Sequence, residues 1–438
     1  MNFDESLSYL YGLGNEVLAM KLGLENIRTL IAALGNPEKN YLKVQIAGTN
    51  GKGSTVAFLE AICIQAGIEV GSTTSPHLVS ITERIKINGR DISEKDFARH
   101  ATLVKETSEQ LVEKGDLETV PTFFEQVTTI ALNVFAEAKV ELAILETGLG
   151  GRFDATTAAN AEIVAITPID YDHQQILGDT LAKIASEKAA IIRENMRVIV
   201  APQKREAENV IYGKCREVGV EPIWVIPNVK LLEDLGGGLL YLSFTTKQTN
   251  YKVDLRMQGK HQWTNAMLAI YIAESLRDFN FKIPKENIEI GLEIAEHKGR
   301  LEFWNSWNAP SFLFDGAHNI SGTKALKTYL DEFITQPITM IFGAMNDKNL
   351  SEIGEIIFPK ADNLIFTKPD NPRSMETAEL LKFVPGNFDT EKLFVTETVR
   401  EAIEKAKKIT KQSELILITG SLYLVGEAQK ILKDESEI

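Results

Sequence analysis

The passage that most constrains this chain is a short apolar run that meets glycine. Residues 41–47 read as a strand and enter Gly48-Thr49-Asn50-Gly51-Lys52-Gly53-Ser54, after which residues 55–66 carry apolar side chains at helical spacing up to Gly67. A strand, a glycine loop and a helix in that order predict a parallel α/β unit. The loop's backbone N–H groups and the start of the helix suit a phosphate, and Lys52 supplies the cation to neutralise it. The spacing is not the strict Walker pattern, whose first glycine would fall on Ile46 and whose Ser or Thr would fall on Gly53. A glycine-rich connecting turn, or a switch that only hydrolyses ATP, would carry the same residues, so the chemistry must be read elsewhere.

Two further runs, 140–145 and 163–167, read as strands that end in polar residues, where open α/β sheets gather their chemistry. Glu146 follows the first and leads into Thr147-Gly148-Leu149-Gly150-Gly151-Arg152; His173 follows the second in Asp170-Tyr171-Asp172-His173. Residues 17–34 have helical spacing. From 222 to 257 the pattern turns β-rich around Gly236-Gly237-Gly238, predicting a small antiparallel appendage. Strand candidates at 312–314, 338–342, 364–367, 393–396 and 415–419 then alternate with helical stretches. At 438 residues the chain exceeds one ordinary core. The expectation is two α/β domains, 1–297 with a mainly parallel ATPase-type sheet and 298–438 smaller and Rossmann-like, hinged near His297-Lys298-Gly299.

Charge and composition exclude several classes. Lys and Arg number 47 against 61 Asp and Glu, a net −14 with no basic stripe, which disfavours nucleic acid and requires a local cationic pocket for anionic substrates. No apolar run approaches the ~18 residues of a membrane span, and the acidic start Met1-Asn2-Phe3-Asp4-Glu5 is no secretory signal. Cys63 and Cys215 are too far apart for a metal-ligand spacing. A reducing cytoplasm is the expected setting.

Glu146 could hold magnesium or simply cap a helix, though the glycines after it favour close backbone approach. His173 is an unusual ligand for a hard ion and could be structural. Lys188, in Ile184-Ala185-Ser186-Glu187-Lys188-Ala189, is either a solvated partner of a nearby acid or, if it faces the pocket, an amine able to take up carbon dioxide as a carbamate.

Together these segments resemble the folylpolyglutamate synthase and dihydrofolate synthase family of the muramyl-ligase superfamily. Further matching pieces are Thr74-Ser75-Pro76-His77-Leu78, Glu83 to Gly89, Glu146 to Thr156, Glu187-Lys188-Ala189, Asp315-Gly316-Ala317-His318-Asn319 and Thr419 to Leu424. The resemblance implies that Thr49, Asn50, Gly51, Lys52, Gly53 and Ser54 hold ATP phosphates, with Asn265, Arg300 and Asp315 contacting ATP across the cleft. It implies Ser75, Glu146 and His173 as ligands of Mg2+, two ions in all, a carbamylated Lys188, and a catalytic group of Lys52, Lys188 and His318. The substrate side would comprise Thr122, Phe123, Phe124 and Glu125, whose aromatic faces suit a pterin, with Asp154 and Ser421. Locally, Asn265 could cap a helix, Arg300 could be a hinge cation, the phenylalanines could anchor a core, and His318 and Ser421 could make only structural hydrogen bonds. Two departures stand out: Lys298 precedes Gly299 where the family often has Pro, and Ala190 stands where Gly is common.

The activity implied is ATP-dependent addition of L-glutamate to reduced folates through an acyl phosphate, and of glutamate to dihydropteroate as well. A carboxylate needs such activation because its leaving group would otherwise be oxide. Small-molecule partners and a monomer are expected. The alternatives are a muramyl amino-acid ligase, which usually has a UDP-binding domain before its phosphate loop where only 47 residues precede Gly48 here, and a nucleotide switch without ligase activity.

Overall fold

In the computed structural model, which describes residues 1–14, 23–305, 309–348 and 350–436, β1 (Leu42–Ala47) runs through the middle of an eight-stranded sheet. Its flanks are β5 (Leu142–Glu146) and β6 (Ile163–Ile166), both parallel to it, with Ile46 opposite Glu146 and Ala47 opposite Ile166. Beyond β6 lie β7 (Arg197–Val200) and β8 (Ile223–Trp224). Beyond β5 lie β2 (Val70–Thr73), β3 (Ile85–Ile87) and β4 (Arg90–Asp91), the last two antiparallel. Every residue of β5 and β6 is buried, as a strand covered on both faces requires. Because β1 leads to neighbours on opposite sides, the carboxyl ends of β1, β5 and β6 open a crevice at the switch point.

One face of the sheet packs on the helices Glu94–Glu113 and Phe123–Glu137. The other packs on Lys52–Gln65 and His261–Leu276. A separate antiparallel sheet of β9 (Val229–Gly236), β10 (Leu239–Thr245) and β11 (Asn250–Leu255) joins this second core, its first hairpin turned by Gly236, Gly237 and Gly238, all at positive φ. The helix Lys285–Ile294 lies between β11 and Lys52–Gln65, so close that a Cβ on Gly291 would come 2.4 Å from the Ile62 Cα.

The smaller sheet has the order β12 (Glu302–Trp304), β13 (Ser311–Asp315), β17 (Leu415–Thr419), β14 (Ile338–Phe342), β15 (Asn363–Phe366) and β16 (Leu393–Val395), parallel except for β12. Its apolar strands are buried between helices in the same way. The two-domain α/β architecture and the antiparallel appendage follow the expectation. The helix expected over 17–34 is described from Glu25 to Ala33, and 17–22 lie outside the described residues. The loop helix starts at Lys52 rather than 55, because Gly51 at φ +90° already turns the chain. Ala190 ends its helix in a right-handed conformation, so glycine is not needed there.

Candidate active site

Two of the loop glycines are required by what they face. A Cβ on Gly51 would stand 2.2 Å from Asn265 Oδ1, and one on Gly53 2.7 Å from His297 Cε1. The bare backbone therefore fits against the helix His261–Leu276 and leaves its N–H groups directed into the crevice. Lys52 Nζ donates to the carbonyls of Gly48 and Thr49 at 3.3 and 3.1 Å. Ser54 Oγ accepts from Gln262 Nε2 at 3.2 Å and is hydrogen-bonded to His297 Nδ1 at 3.1 Å, while Thr49 Oγ1 donates to the Asp170 carbonyl at 3.0 Å. Arg300 stands beside His261 and His297, and burial, then its charge, lowers their pKa values to about 4 and about 3.

Glu146 leaves the end of β5 and accepts the Ser75 N–H at 3.1 Å. Burial raises its pKa against the opposing charges of Lys52 and Arg300. Lys188 is 5% exposed and donates to the Gly48 carbonyl at 2.8 Å. Burial, then repulsion from Lys52, lowers its pKa to about 7, so a neutral amine is available near neutrality. His173 adopts φ +49° just before the helix Gln174–Leu177; burial lowers its pKa to about 4, leaving a lone pair on the ring. Among the described residues no group of three or more His, Cys, Asp or Glu could hold a metal ion alone. The donors here, a hydroxyl, a carboxylate and an imidazole around one crevice, suit instead an ion shared with phosphate oxygens.

The second domain forms the opposite wall. Asp315, at the end of β13, accepts the N–H groups of Leu301 and Ala317, both at 3.0 Å, and burial raises its pKa while Arg300 opposes the rise. His318 Nδ1 donates to the Gly316 carbonyl at 2.8 Å, and its Nε2 lies 3.6 Å from Asp172 Oδ2. Asp172, from the first domain, gathers Lys348 at 2.9 Å and Asn319 Nδ2 at 2.9 Å. Burial alone would push its carboxyl up, but the hydrogen bond and charge of His318, with Lys348 and His173, hold it well below the usual range. Asn319 also exchanges side-chain hydrogen bonds with Asn50 of the phosphate loop, at 3.0 and 3.1 Å, and Asn50 donates to Ser321. A cavity of about 790 Å³ lies between the walls, lined by the loop, Ser75, Glu146, His173, Lys188, Asn265, Arg300, Asp315 and His318.

The sequence profile of the Mur ligase middle domain matches residues 46–273, and that of the Mur ligase glutamate ligase domain matches 299–422. The dihydrofolate synthase/folylpolyglutamate synthase of Bacillus subtilis is 35% identical over 98% of this chain and 99% of its own length. The chain belongs to the folylpolyglutamate synthase/dihydrofolate synthase family of Mur ligases. Solved family structures superpose over nearly the whole length. The Mycobacterium tuberculosis folylpolyglutamate synthase complexed with ADP has a TM-score of 0.90 at 27% identity, covering 98% of this chain and 99% of that one. A bifunctional folylpolyglutamate synthase/dihydrofolate synthase with Mn, AMPPNP and L-glutamate bound has a TM-score of 0.84 at 26% identity, covering 99% and 98%.

In this family member a second cavity, of about 180 Å³, adjoins the first through Ser75, Pro76, His173 and His318. Here the substrate-side expectations separate. Thr122 caps the helix Phe123–Glu137 and exchanges hydrogen bonds with Glu125, whose Oε2 accepts the Thr122 N–H at 2.8 Å. Both residues reach the cavity wall, as does Phe124. Phe123 does not: it is 1% exposed, stacked on Tyr11 at 5.7 Å and covered by Arg84, because consecutive helical residues point to different faces. The core-anchor alternative thus describes Phe123. Asp154 lines the cavity, but its oxygens accept the N–H groups of Leu149 and Thr156 at 2.9 and 3.0 Å and the Thr156 hydroxyl, which ties down the loop after β5. Ser421 lines the cavity and accepts the Tyr423 N–H at 3.1 Å.

Asp172, Gln262, His297, Asn319, Lys348 and Arg373 also line these cavities or bond to their lining, and sequence reasoning gave none of them a role. Asp172 and Asn319 each adjoin a residue it did single out. Lys348 and Arg373 stand in no motif.

No helix among the described residues is long and apolar enough to cross a membrane.

Proposed function

We propose that this protein is an ATP-dependent ligase that joins L-glutamate to folates, and to dihydropteroate as well, through an acyl phosphate. The observation that carries the reading is the single crevice with a phosphate loop, Lys52 and Glu146 on one wall and Arg300, Asp315 and His318 on the other. The smaller cavity opens beside it, where a third reactant fits. The relatives' names, ADP in one structure, and Mn, AMPPNP and L-glutamate in another support the same chemistry.

ATP phosphates would lie along Thr49–Ser54, where backbone N–H groups and Lys52 neutralise them, with Asn265, Arg300 and Asp315 closing over the nucleotide. Ser75, Glu146 and His173 would hold Mg2+, which when bound neutralises phosphate charge and holds the transferring group in line. The folate carboxylate attacks the γ-phosphorus, ADP leaves, and an acyl phosphate remains. Glutamate's amine then attacks the acyl carbon and releases phosphate, leaving an amide; His318, between the two cavities, orients that approach. The desolvated Lys188 amine is set for carbamylation, and as a carbamate it would serve a second cation. Phe124, with Thr122, Glu125 and Asp154, would form the pterin side, and Ser421 the amino-acid side. Closing the domains, with the boundary at 297/298, excludes water that would hydrolyse the acyl phosphate. Both walls come from one chain, so a monomer suffices.

Enzyme, Mg2+, ATP and glutamate are incubated with dihydropteroate and with tetrahydrofolate separately, and products are identified by mass. A product one glutamate heavier is expected with each acceptor. Its absence with both would remove the ligase reading, and its absence with one would remove the second activity.

A further inference from the structure

The smaller cavity holds a cation whose charge nothing in the described structure uses. Arg373 Nη2 donates to the Tyr423 hydroxyl at 2.7 Å, and the guanidinium carbon lies 5.4 Å from the centre of the Tyr423 ring. Its backbone is fixed as well: the Arg373 N–H donates to Asn371 Oδ1 at 3.0 Å and its carbonyl accepts the Asn346 N–H at 2.9 Å. Among the described residues the guanidinium makes no ion pair. Lys348, on the same wall, is neutralised twice, by Asp172 at 2.9 Å and Asp347 at 3.3 Å. The cavity's own acids do not compete for Arg373, since Glu125 and Asp154 accept from local donors.

A guanidinium laid on an aromatic ring and tethered by one nitrogen has given up most of its rotamer freedom already, and still presents donors in a planar fork. That fork matches a carboxylate, not an amine or an aromatic ring. Ser75, His173 and His318 line both cavities, so an amino acid seated on Arg373 would have its amine toward the phosphate-bearing crevice. Building on the glutamate-ligase reading, we propose that Arg373, positioned by Tyr423, binds a carboxylate of the incoming glutamate and sets the enzyme's amino-acid specificity. The same glutamyl carboxylates occur on the tail of a folate acceptor, whereas dihydropteroate has none, and this separates the two sources.

The test compares wild type with Arg373→Gln, Arg373→Lys and Tyr423→Phe, using dihydropteroate as acceptor and varying glutamate. Losing a charged hydrogen-bonding partner predicts a KM for glutamate raised about 10- to 100-fold in Arg373→Gln. Arg373→Lys and Tyr423→Phe should fall between, with the KM for ATP and for dihydropteroate unchanged. L-glutamine and glutamate α-amide are then offered: the handicap of Arg373→Gln should vanish for whichever amide lacks the recognised carboxylate. An unchanged KM for glutamate in a folded Arg373→Gln overturns the proposal, as does an equal handicap with all three amino acids. So does a raised KM for tetrahydrofolate alone, which would put Arg373 on the acceptor's tail. Wild-type product formation is measured first, so failure of the ligase reading is seen separately. In that event, saturation-transfer NMR of glutamate with protein and ADP still decides: a signal lost only in Arg373→Gln supports the assignment, and equal signals refute it.

Discussion

Removing Asp172 should weaken the join between the domains without unfolding either. Its carboxylate and Lys348 are 11% and 9% exposed and 2.9 Å apart. Deleting one member of a buried pair costs about 3–5 kcal/mol. Asp347, 3.3 Å from Lys348 and 32% exposed, remains to hold that ammonium, which brings the cost down to about 2 kcal/mol, and Asn319 loses a charged acceptor for about 1 kcal/mol more. All of these contacts cross from the first domain to the second, so Asp172→Ala should disfavour the closed arrangement by about 3 kcal/mol, a shift of about 100-fold. We expect kcat/KM for glutamate to drop by up to that factor. The radius of gyration from small-angle scattering, with a non-hydrolysable ATP analogue and glutamate, should exceed the wild-type value, while denaturant midpoints stay within error. A variant that loses about 3 kcal/mol of unfolding stability yet keeps its kcat/KM would show that the cluster is static packing, and the reasoning would fail.

Other outcomes follow from the same geometry. Lys52→Ala should abolish phosphoryl transfer with the circular dichroism spectrum unchanged; full turnover would remove its assigned role. Phe123→Ala should lower unfolding stability by about 3–5 kcal/mol and leave the acceptor KM near wild type, whereas Phe124→Ala should do the reverse, as chemical denaturation and steady-state kinetics would reveal. Lys188 has its pKa lowered from 10.5 to about 7 on folding, so between these values the unfolded chain binds a proton the folded one does not. Stability therefore rises with pH across that window, and in CO2-free buffer Lys188→Met should flatten the slope by about 1.4 kcal/mol per pH unit. Equal slopes in urea unfolding at pH 7.5 to 9.5 would contradict this. A carbamate on Lys188 predicts that acetate partly restores turnover to Lys188→Ala.

The strands that place the site were legible because burial on both faces makes them continuous apolar runs: β5, β6, β14 and β17 fall within a residue or two of the runs read from the sequence. The phosphate loop was legible because its glycines leave room that no other residue could. Short edge strands were not: β2, with a glycine and two hydroxyl residues, and β3 and β4, of three and two residues, have no apolar period to detect. Nor was the side-chain bridging of the cleft, since Asp172 meets Lys348 across 176 positions and Asn50 meets Asn319 across 269. Adjacent phenylalanines posed another limit. Which of Phe123 and Phe124 faces the cavity depends on where the helix cap falls, and a shift of one residue would exchange them.

The helix Lys285–Ile294, wedged against the phosphate-loop helix, has a consequence for how the protein is made. Strands β1 to β8 have all been synthesised by Trp224, but Ser54 takes its hydrogen bond from Gln262, 208 positions downstream. Gly51 faces Asn265, and the back of the loop helix is covered only when Gly291 settles on Ile62. During synthesis from the N-terminus the sheet can form early, while the loop stays unsupported until residue 294 is clear of the ribosome. A nascent chain released before that point would have its nucleotide site only half built, and competence to bind ATP should appear late and in one step.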